Sequence, residues 1–203
     1  MTPTMTLLLS SLAPAATLTV TVGDDSGAGS LREAVAAAQD GDDIEFNGVA
    51  TVTLSSTLTI ERDLIVEGGG VSIASDGSNH RMLQIAADAE VTLRDLEITG
   101  GRVGGTNRAA GLANFGTATL QRVVIRDCQA FNAAGFENYT VMTLEDSAII
   151  DNRTTGNSGA GGTNGGTLTV RNTTFASNHA TGNDRVGGGL AQFSEDATAV
   201  ISH

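Results

Sequence analysis

The stretch that decides the fold is GLANFGTATL at residues 111–120. It joins a glycine and an asparagine to a strand-like run, with Gly111 nine residues and Asn114 six residues before Leu120. The same offsets return without a gap in GFENYTVMTL at residues 135–144 and in GGTNGGTLTV at residues 161–170. Self-similarity at this period indicates a solenoid, in which one structural unit is stacked repeatedly.

Partial copies extend the array on both sides. One contains Thr92-Leu93, and another begins at Gly189 with three extra residues before its strand. The equivalent strand residues are spaced by 27, 24, 26 and 31 residues along the chain: Leu93, Leu120, Leu144, Val170 and Ile201. The intervals contain short runs of Val, Ile, Leu and Thr and no ten-residue helical pattern, which excludes ordinary βαβ units. The pattern therefore predicts an all-β parallel solenoid with three short strands per turn.

Side-chain alternation along a strand predicts which residues fill the interior of such a coil. One internal file comprises Leu93, Leu120, Leu144 and Val170, and one outward file comprises Thr92, Thr119, Thr143 and Thr169. A third file is predicted at a bend, because Asn tolerates left-handed backbone and its amide can bond neighbours above and below; it comprises Asn114, Asn138, Asn164 and Gln192. Threonine is a common strand former on a wet face, and the charged flanks of this Thr file argue against an ice-binding surface.

The chain divides into three parts. Residues 1–16 are an apolar leader, which we interpret as a signal-peptide remnant or a disordered segment, because Ala13-Pro14-Ala15 resembles a cleavage site but no Lys or Arg precedes it. Residues 17–48 are predicted to form an N-terminal cap, and residues 49–203 the turns of the solenoid. Because repeat arrays usually end in a polar cap and none follows here, we expect the array to be truncated and completed by further sequence or another module.

The N-terminal cap contains the one convincing helical pattern, at residues 30–39. Ser30 is a good N-cap, and Glu33 three residues later predicts a capping box. Leu31, Ala34, Val35 and Ala38 supply an apolar stripe, and Asp40-Gly41 is predicted to end the helix.

Composition narrows the classes of function. The formal net charge is −12 and the pI about 4.4, so the chain lacks the basic face that nucleic-acid binding needs. The single cysteine, Cys128, excludes an internal disulfide and is expected to be a small buried hydrophobe rather than a reactive thiol. No stretch is long and apolar enough to predict a transmembrane helix.

Two sets of motifs resemble known families. Residues 24–35 (DDSGAGSLREAV) followed by residues 41–46 (GDDIEF) look like the CSLREA domain, with Gly29 standing where that motif has cysteine. Gly-Gly-hydrophobic and Phe-x-x-Asn elements resemble the repeats of polymorphic outer membrane proteins; Phe175 to Asn178 matches the second element fully, and Ile149 to Asn152 matches it with an aliphatic. The resemblance implies a right-handed, single-stranded parallel β-helix with a short capping helix, on a secreted or surface-displayed bacterial protein.

Two functions remain open from the sequence. The first is a non-catalytic extracellular scaffold, such as an adhesin, stalk or passenger-like segment, with a host-surface or extracellular carbohydrate or protein as its partner. The second is a carbohydrate-active enzyme of the polysaccharide lyase or hydrolase type. Its candidate catalytic residues are Asp95, Arg122 and Asp146, which occupy one repeat position in successive turns and which also fit a surface ion-pair ladder.

The candidate metal ligands are acidic residues of the N-terminal cap. The acidic residues Asp24, Asp25, Asp42 and Asp43 supply oxygen ligands that suit Ca²⁺, but they lack the spacing of an EF-hand. The three histidines, His80, His179 and His203, are far apart and predict neither a metal site nor a catalytic triad. We therefore expect no bound cofactor, with Ca²⁺ as the alternative.

Overall fold

The protein is a parallel β-solenoid of about seven turns. The computed structural model describes residues 14–156, 158–182 and 187–202. The predicted leader at residues 1–16 lies mostly outside the described residues. Within the described part, the chain forms one helix, α1 (Leu31–Ala37), and these strands: β1 (Thr17–Val20), β2 (Asp42–Phe46), β3 (Thr51–Leu54), β4 (Leu58–Ile60), β5 (Leu64–Ser75), β6 (Leu83–Ile85), β7 (Glu90–Thr99), β8 (Leu112–Asn114), β9 (Thr117–Gln121), β10 (Val124–Arg126), β11 (Gln129–Ala130), β12 (Phe136–Asn138), β13 (Val141–Glu145), β14 (Ala148–Ile150), β15 (Arg153–Thr154), β16 (Gly162–Asn164), β17 (Thr167–Arg171), β18 (Thr174–Ala176), β19 (His179–Ala180), β20 (Leu190–Gln192) and β21 (Thr198–Ser202).

These strands stack into three parallel sheets. Sheet A has twelve strands along the path β1-β2-β5-β7-β9-β13-β17-β21, with β3, β10, β14 and β18 beside it. Sheet B has the order β20-β16-β12-β8-β6-β4, and sheet C the order β11-β15-β19. One turn of the coil thus runs through β9, β10, β11 and β12 before β13 begins the next turn.

The predicted files lie in register. Leu93 pairs with Leu120, Leu120 with Leu144, and Leu144 with Val170, and all four side chains are buried. The Thr file has the same register on the half-buried outer side. Inward burial of aliphatic side chains at every turn is the main favourable term for folding, at about 25 cal/mol per Å² of apolar surface. The interior is thus a continuous aliphatic stack.

The helix is shorter than the pattern predicts. It begins after Ser30, whose hydroxyl accepts a hydrogen bond from the Glu33 backbone N–H at 3.2 Å. The Glu33 carboxylate reaches back to the N–H of Gly29, one residue before the expected partner. The helix ends at Ala37 and not at residue 39, because Asp42 accepts a hydrogen bond from the Gln39 N–H and turns the chain into β2. Its apolar stripe packs on β1, the strand at which sheet A begins.

The corners of the coil use left-handed backbone, but not at the asparagines predicted to adopt it. Asn114, Asn138 and Asn164 end strands of sheet B, with strand conformation and fully buried side chains. The positive φ angles lie elsewhere, between 45° and 57° at these non-glycine residues: Asp95, Ala109, Arg122, Asp127, Ala133, Asp146, Asp151, Asn172 and Ser177. Left-handed backbone costs an L-residue roughly 1–2 kcal/mol. At Asp95, Arg122, Asp146 and Asn172 the side chains bond across neighbouring turns.

Candidate functional site

The three candidate catalytic residues lie at one of these corners. Arg122 donates from Nε and from a terminal nitrogen to the two carboxylate oxygens of Asp95, both at 2.7 Å. Asp146, one turn further on, accepts a hydrogen bond from the Asn172 amide at 2.6 Å. The hydrogen bonds from Arg122 lower the pKa of Asp95 and those to Asp95 raise the pKa of Arg122. Each carboxylate therefore has a hydrogen-bond partner in the next turn, and for Asp95 that partner is a cation.

A second polar ladder runs along the outer face of sheet A. Arg94 bonds Glu67 at 2.5 Å and Gln121 at 2.8 Å. The Gln121 amide then donates to one oxygen of Glu145 at 3.0 Å, and Arg171 donates to the other at 2.7 Å. The hydrogen bonds from Gln121 and Arg171 lower the pKa of Glu145. Five successive turns are thus linked through side chains on the face where a polysaccharide enzyme would need unengaged carboxylates.

The Asn ladder lies inside the coil. The amide of Asn114 donates to Asn138 at 2.9 Å, and the amide of Asn138 donates to Asn164 at 2.8 Å. Gln192 pairs with Asn164 in strand register, but its side chain is exposed, and Asn164 donates instead to the Thr198 carbonyl at 2.9 Å. The amide ladder therefore has three members and not four.

The Phe-x-x-Asn motif produces a second ladder that the sequence analysis did not predict. Asn152 is fully buried and accepts the Cys128 N–H at 3.1 Å. Asn178, one turn further on, accepts the N–H of Asn152 at 3.0 Å. Each amide also donates to the carbonyl of a strand residue in the preceding turn, Ile125 or Ile149. The signal was present, because the motif places Asn three residues after the inward aliphatic or aromatic residue.

Two of the four acidic residues proposed for Ca²⁺, Asp25 and Asp42, have structural partners. Asp25 bonds Arg32 at 2.6 Å and the Ser55 hydroxyl at 2.8 Å. Asp42 accepts the Ala16 N–H at 2.7 Å and the Gln39 N–H at 2.8 Å. Across residues 14–156, 158–182 and 187–202, no three His, Cys, Asp or Glu side chains come together as a metal site requires, so the structure does not assemble a site from Asp24, Asp25, Asp42 and Asp43.

The loop at residues 76–80 brings together an Asp, a Ser and a His. The Ser78 hydroxyl lies 2.5 Å from Asp76 Oδ1 and 3.0 Å from His80 Nδ1. The Ser78 hydroxyl has one proton, which it donates in a hydrogen bond to the closer, charged carboxylate of Asp76. The Nδ1–H of His80 must therefore donate to the Ser78 oxygen. The serine thus stands between the other two residues, and His80 is not placed to remove its proton, as nucleophilic catalysis would need.

The most unusual polar group is Glu137, on the outer face of sheet B. Strand alternation predicts an exposed side chain at this position, yet it is 1% exposed. Arg108 Nε lies 2.6 Å from Glu137 Oε1, and its N–H is not directed at the oxygen, so the contact is mainly between charges. A buried carboxylate with a single cationic partner is costly unless the pair is held closely together. We name Arg81, Arg108, Glu137, Tyr139 and Phe193 the Glu137 cluster.

Aromatic rings border this cluster. Tyr139 stacks on Phe115 with ring centroids 4.6 Å apart, and Phe193 meets Tyr139 at 5.8 Å with a tilt of 70°. The Arg108 guanidinium lies over the Phe193 ring at 5.1 Å, a cation–π contact. Together these contacts fix Arg108 between an anion and an aromatic face.

Burial and charge shift two pKa values in the cluster. Burial raises the pKa of the Tyr139 phenol, and the neighbouring Glu137 carboxylate, which favours the protonated phenol, adds to the rise. Burial lowers the pKa of Arg81, while Glu137 acts in the opposite direction. Arg81 is held by the side chain of Gln84 at 2.5 Å and the carbonyl of Ala109 at 2.8 Å. The side chains of the cluster are held rigidly and can therefore bind polar groups of a ligand. The cluster contains one carboxylate, whereas glycoside hydrolysis uses two.

Comparison with protein families, with curated proteins and with solved structures finds no match to this chain. No helix in the described part of the chain is long and apolar enough to cross a membrane.

Proposed function

We propose that the chain is a non-catalytic extracellular or cell-surface β-solenoid scaffold, acting as an adhesin, stalk or passenger-like segment. One observation carries the proposal: Glu67, Asp95, Glu145 and Asp146, on the outer side of sheet A, are engaged with Arg, Gln or Asn side chains of neighbouring turns. An arginine-bonded carboxylate is held in its charged form and is a poor general acid. Asp95 thus links two turns through Arg122, and Asp146 links two turns through the Asn172 amide.

The sequence motifs support the extracellular location. The residues that resemble the CSLREA module include α1 and the turn into β2, and the Phe-x-x-Asn elements supply the second Asn ladder. Both resemblances are to secreted or surface-displayed proteins. A net charge of −12 favours a solvated surface and disfavours nucleic-acid partners. We therefore propose a secreted or cell-surface protein whose partner is an extracellular carbohydrate or protein.

One observation favours the alternative, a carbohydrate-active enzyme. Glu137 is a buried carboxylate beside a phenol and the Arg108 guanidinium, which are residue types found in active sites. Against it, Glu137 is 1% exposed, so a substrate reaches it only if Arg108 or the neighbouring loops move.

A turnover assay separates the two functions. The purified chain is incubated with polygalacturonate, alginate, xylan and mannan, with and without Ca²⁺, and reducing ends and unsaturated products are followed over time. Glu137→Gln and Asp146→Asn serve as matched isosteric variants. We expect no turnover by any of the three proteins. Turnover by the wild-type chain that is lost in either variant would falsify the scaffold proposal.

A further inference from the structure

The aromatic residues of this chain are few and unevenly placed. The chain has six Phe, one Tyr and no Trp. Three of these seven residues, Phe115, Tyr139 and Phe193, each follow the last residue of a sheet B strand at equivalent positions of the coil. We name them the aromatic row. They lie at the corner between sheet B and sheet A, so the row runs along the coil axis on the surface.

A glycine makes the row continuous. The turn between Tyr139 and Phe193 has Gly165 at the equivalent position. A Cβ on Gly165 would lie 2.2 Å from Cζ of Phe193, so any side chain there would displace the ring. Because Gly165 has no side chain, the Phe193 ring reaches back across one turn and contacts Tyr139. The aromatic row therefore depends on glycine at position 165, whereas the equivalent positions of neighbouring turns hold larger residues.

The row is exposed and has polar groups at fixed positions. Phe193 is 45% exposed, Tyr139 38%, and the side chain of Arg108 34%. Arg108 covers one face of Phe193, and the buried Glu137 fixes the Arg108 guanidinium from below. Solvent thus meets two aromatic rings and a planar guanidinium that are preorganised next to one another.

From this arrangement we propose that the aromatic row, with Arg108, binds a neutral glycan; this rests on the scaffold function proposed above. Pyranose rings present C–H faces that pack on aromatic rings, and their hydroxyl groups bond planar donors and acceptors. Glu137 is a positioning residue that holds Arg108.

The size of the row favours a sugar over a protein partner. An aromatic side chain has roughly 150–250 Å² of surface, so the exposed parts of Tyr139 and Phe193 amount to about 170 Å². A stable protein interface needs about 800 Å² from each partner. A few sugar rings fit the smaller area.

The charge favours a neutral sugar over an acidic one. Glu137 balances the charge of Arg108 at the row, and Glu195 and Asp196 are exposed shortly after Phe193. The whole chain carries −12, which repels a polyanion at low salt.

The test uses affinity electrophoresis of the full chain through gels that contain neutral polysaccharides (mannan, xyloglucan, arabinogalactan) or acidic ones (polygalacturonate, hyaluronate). Tyr139 is the sole Tyr and Trp is absent, so tyrosine fluorescence reports on this site alone during titration with the matching oligosaccharides. We expect retardation by at least one neutral polysaccharide and a saturable fluorescence change. Phe193→Ala should weaken binding by about tenfold or more.

Two further variants complete the design. Val200→Ala, at an exposed residue outside the row, is the matched control and should bind as the wild type does. Glu137→Gln should weaken binding through Arg108, and an unchanged circular dichroism spectrum shows that its fold is intact. Retardation of Phe193→Ala equal to that of the wild type would overturn the inference.

The remaining outcomes distinguish failure of the neutral-glycan inference from failure of the scaffold proposal. Retardation by none of the gels, or by acidic gels alone, overturns the neutral-glycan inference and leaves the scaffold proposal standing if turnover is absent. Binding together with turnover supports the glycan site and overturns the scaffold proposal. A mucin-type glycoprotein is tested before and after chemical deglycosylation: binding that survives deglycosylation indicates a polypeptide partner and overturns the inference.

Discussion

Tyr139 reports on the most unusual environment in the molecule. Its ring is stacked on Phe115 and tilted against Phe193, and its phenol is close to the buried Glu137. Burial first, and Glu137 second, raise the pKa of Tyr139 above its ordinary value of 10.0. Because the chain has one tyrosine, this pKa is directly observable.

Replacing Glu137 by glutamine is expected to lower the pKa of Tyr139. The substitution removes the negative charge that opposes phenolate formation and keeps the shape of the side chain. Ultraviolet absorbance of the phenolate during an alkaline titration measures the change, with Glu145→Gln on the outer face of sheet A as the control. An equal or higher pKa in Glu137→Gln would show that Glu137 does not act on the phenol.

Cys128 is expected to resist thiol reagents in the native protein. Its side chain is 1% exposed, and burial raises its pKa to about 12, so the reactive thiolate is scarce at neutral pH. A colorimetric thiol reagent should label one thiol per chain in guanidinium chloride and none on the same timescale in buffer. Rapid labelling in buffer would contradict the burial of this residue.

The Asn ladder links the strands of sheet B through buried side-chain hydrogen bonds. Asn138 accepts from Asn114 and donates to Asn164 and to the Thr167 carbonyl, so one side chain links three turns. Removing one partner of a buried hydrogen bond leaves the other without its partner, at a cost of about 1–3 kcal/mol for each group. The central member of the ladder should therefore be the most costly to remove.

Asn138→Ala is expected to lower the free energy of unfolding by about 3 kcal/mol. Gln192→Ala, at the exposed position of the same register, should change it by about 0.5 kcal/mol or less. Guanidinium unfolding followed by circular dichroism measures both values. Similar losses in the two variants would mean that register alone, and not the buried amide chain, stabilises the corner.

The strands that recur in every repeat were predictable from the sequence. The Glu137 cluster was not. Constant offsets from Asn114 to Leu120 determine strand register, because a shift by one residue would turn the apolar file outward. Glu137 occupies an outward position, and alternation alone predicts that it is exposed. Its burial depends on contacts from far along the chain, with Arg108 before it and Phe193 in a later turn beyond Tyr139.

Six carboxylates spread along the coil have a lowered pKa. Hydrogen bonds lower the pKa of these groups: Asp42, Asp76, Asp95, Glu97 and Glu145. At Asp25, burial would raise the pKa, but hydrogen bonds from Arg32 and Ser55 outweigh it. The unfolded chain therefore takes up protons at a higher pH than the folded chain does.

Stability is expected to be highest above about pH 5 and to fall on acidification. The ordinary values are 3.8 for Asp and 4.5 for Glu, so the loss begins as the pH falls through these values and continues towards the lowered folded pKa values. Urea unfolding between pH 2 and pH 6, in about 1 M salt to screen long-range repulsion, measures the trend. A flat profile would contradict the ladders as a source of stability.

The ladders and the aromatic row form only if neighbouring turns have the register described above. An engineered disulfide tests that register most directly. In a Cys128→Ala background, Thr119→Cys with Thr143→Cys places two cysteines at paired positions of neighbouring strands, whose backbones are about 4.8 Å apart. Thr119→Cys with Thr169→Cys is the control: Thr169 lies one strand further on, about 9.6 Å from Thr119 and beyond the roughly 7 Å limit for a disulfide. Mild oxidation followed by mass spectrometry should show an intramolecular disulfide in the first protein and none in the second. A disulfide in the control, or its absence in the paired variant, would contradict the coil on which the ladders and the aromatic row depend.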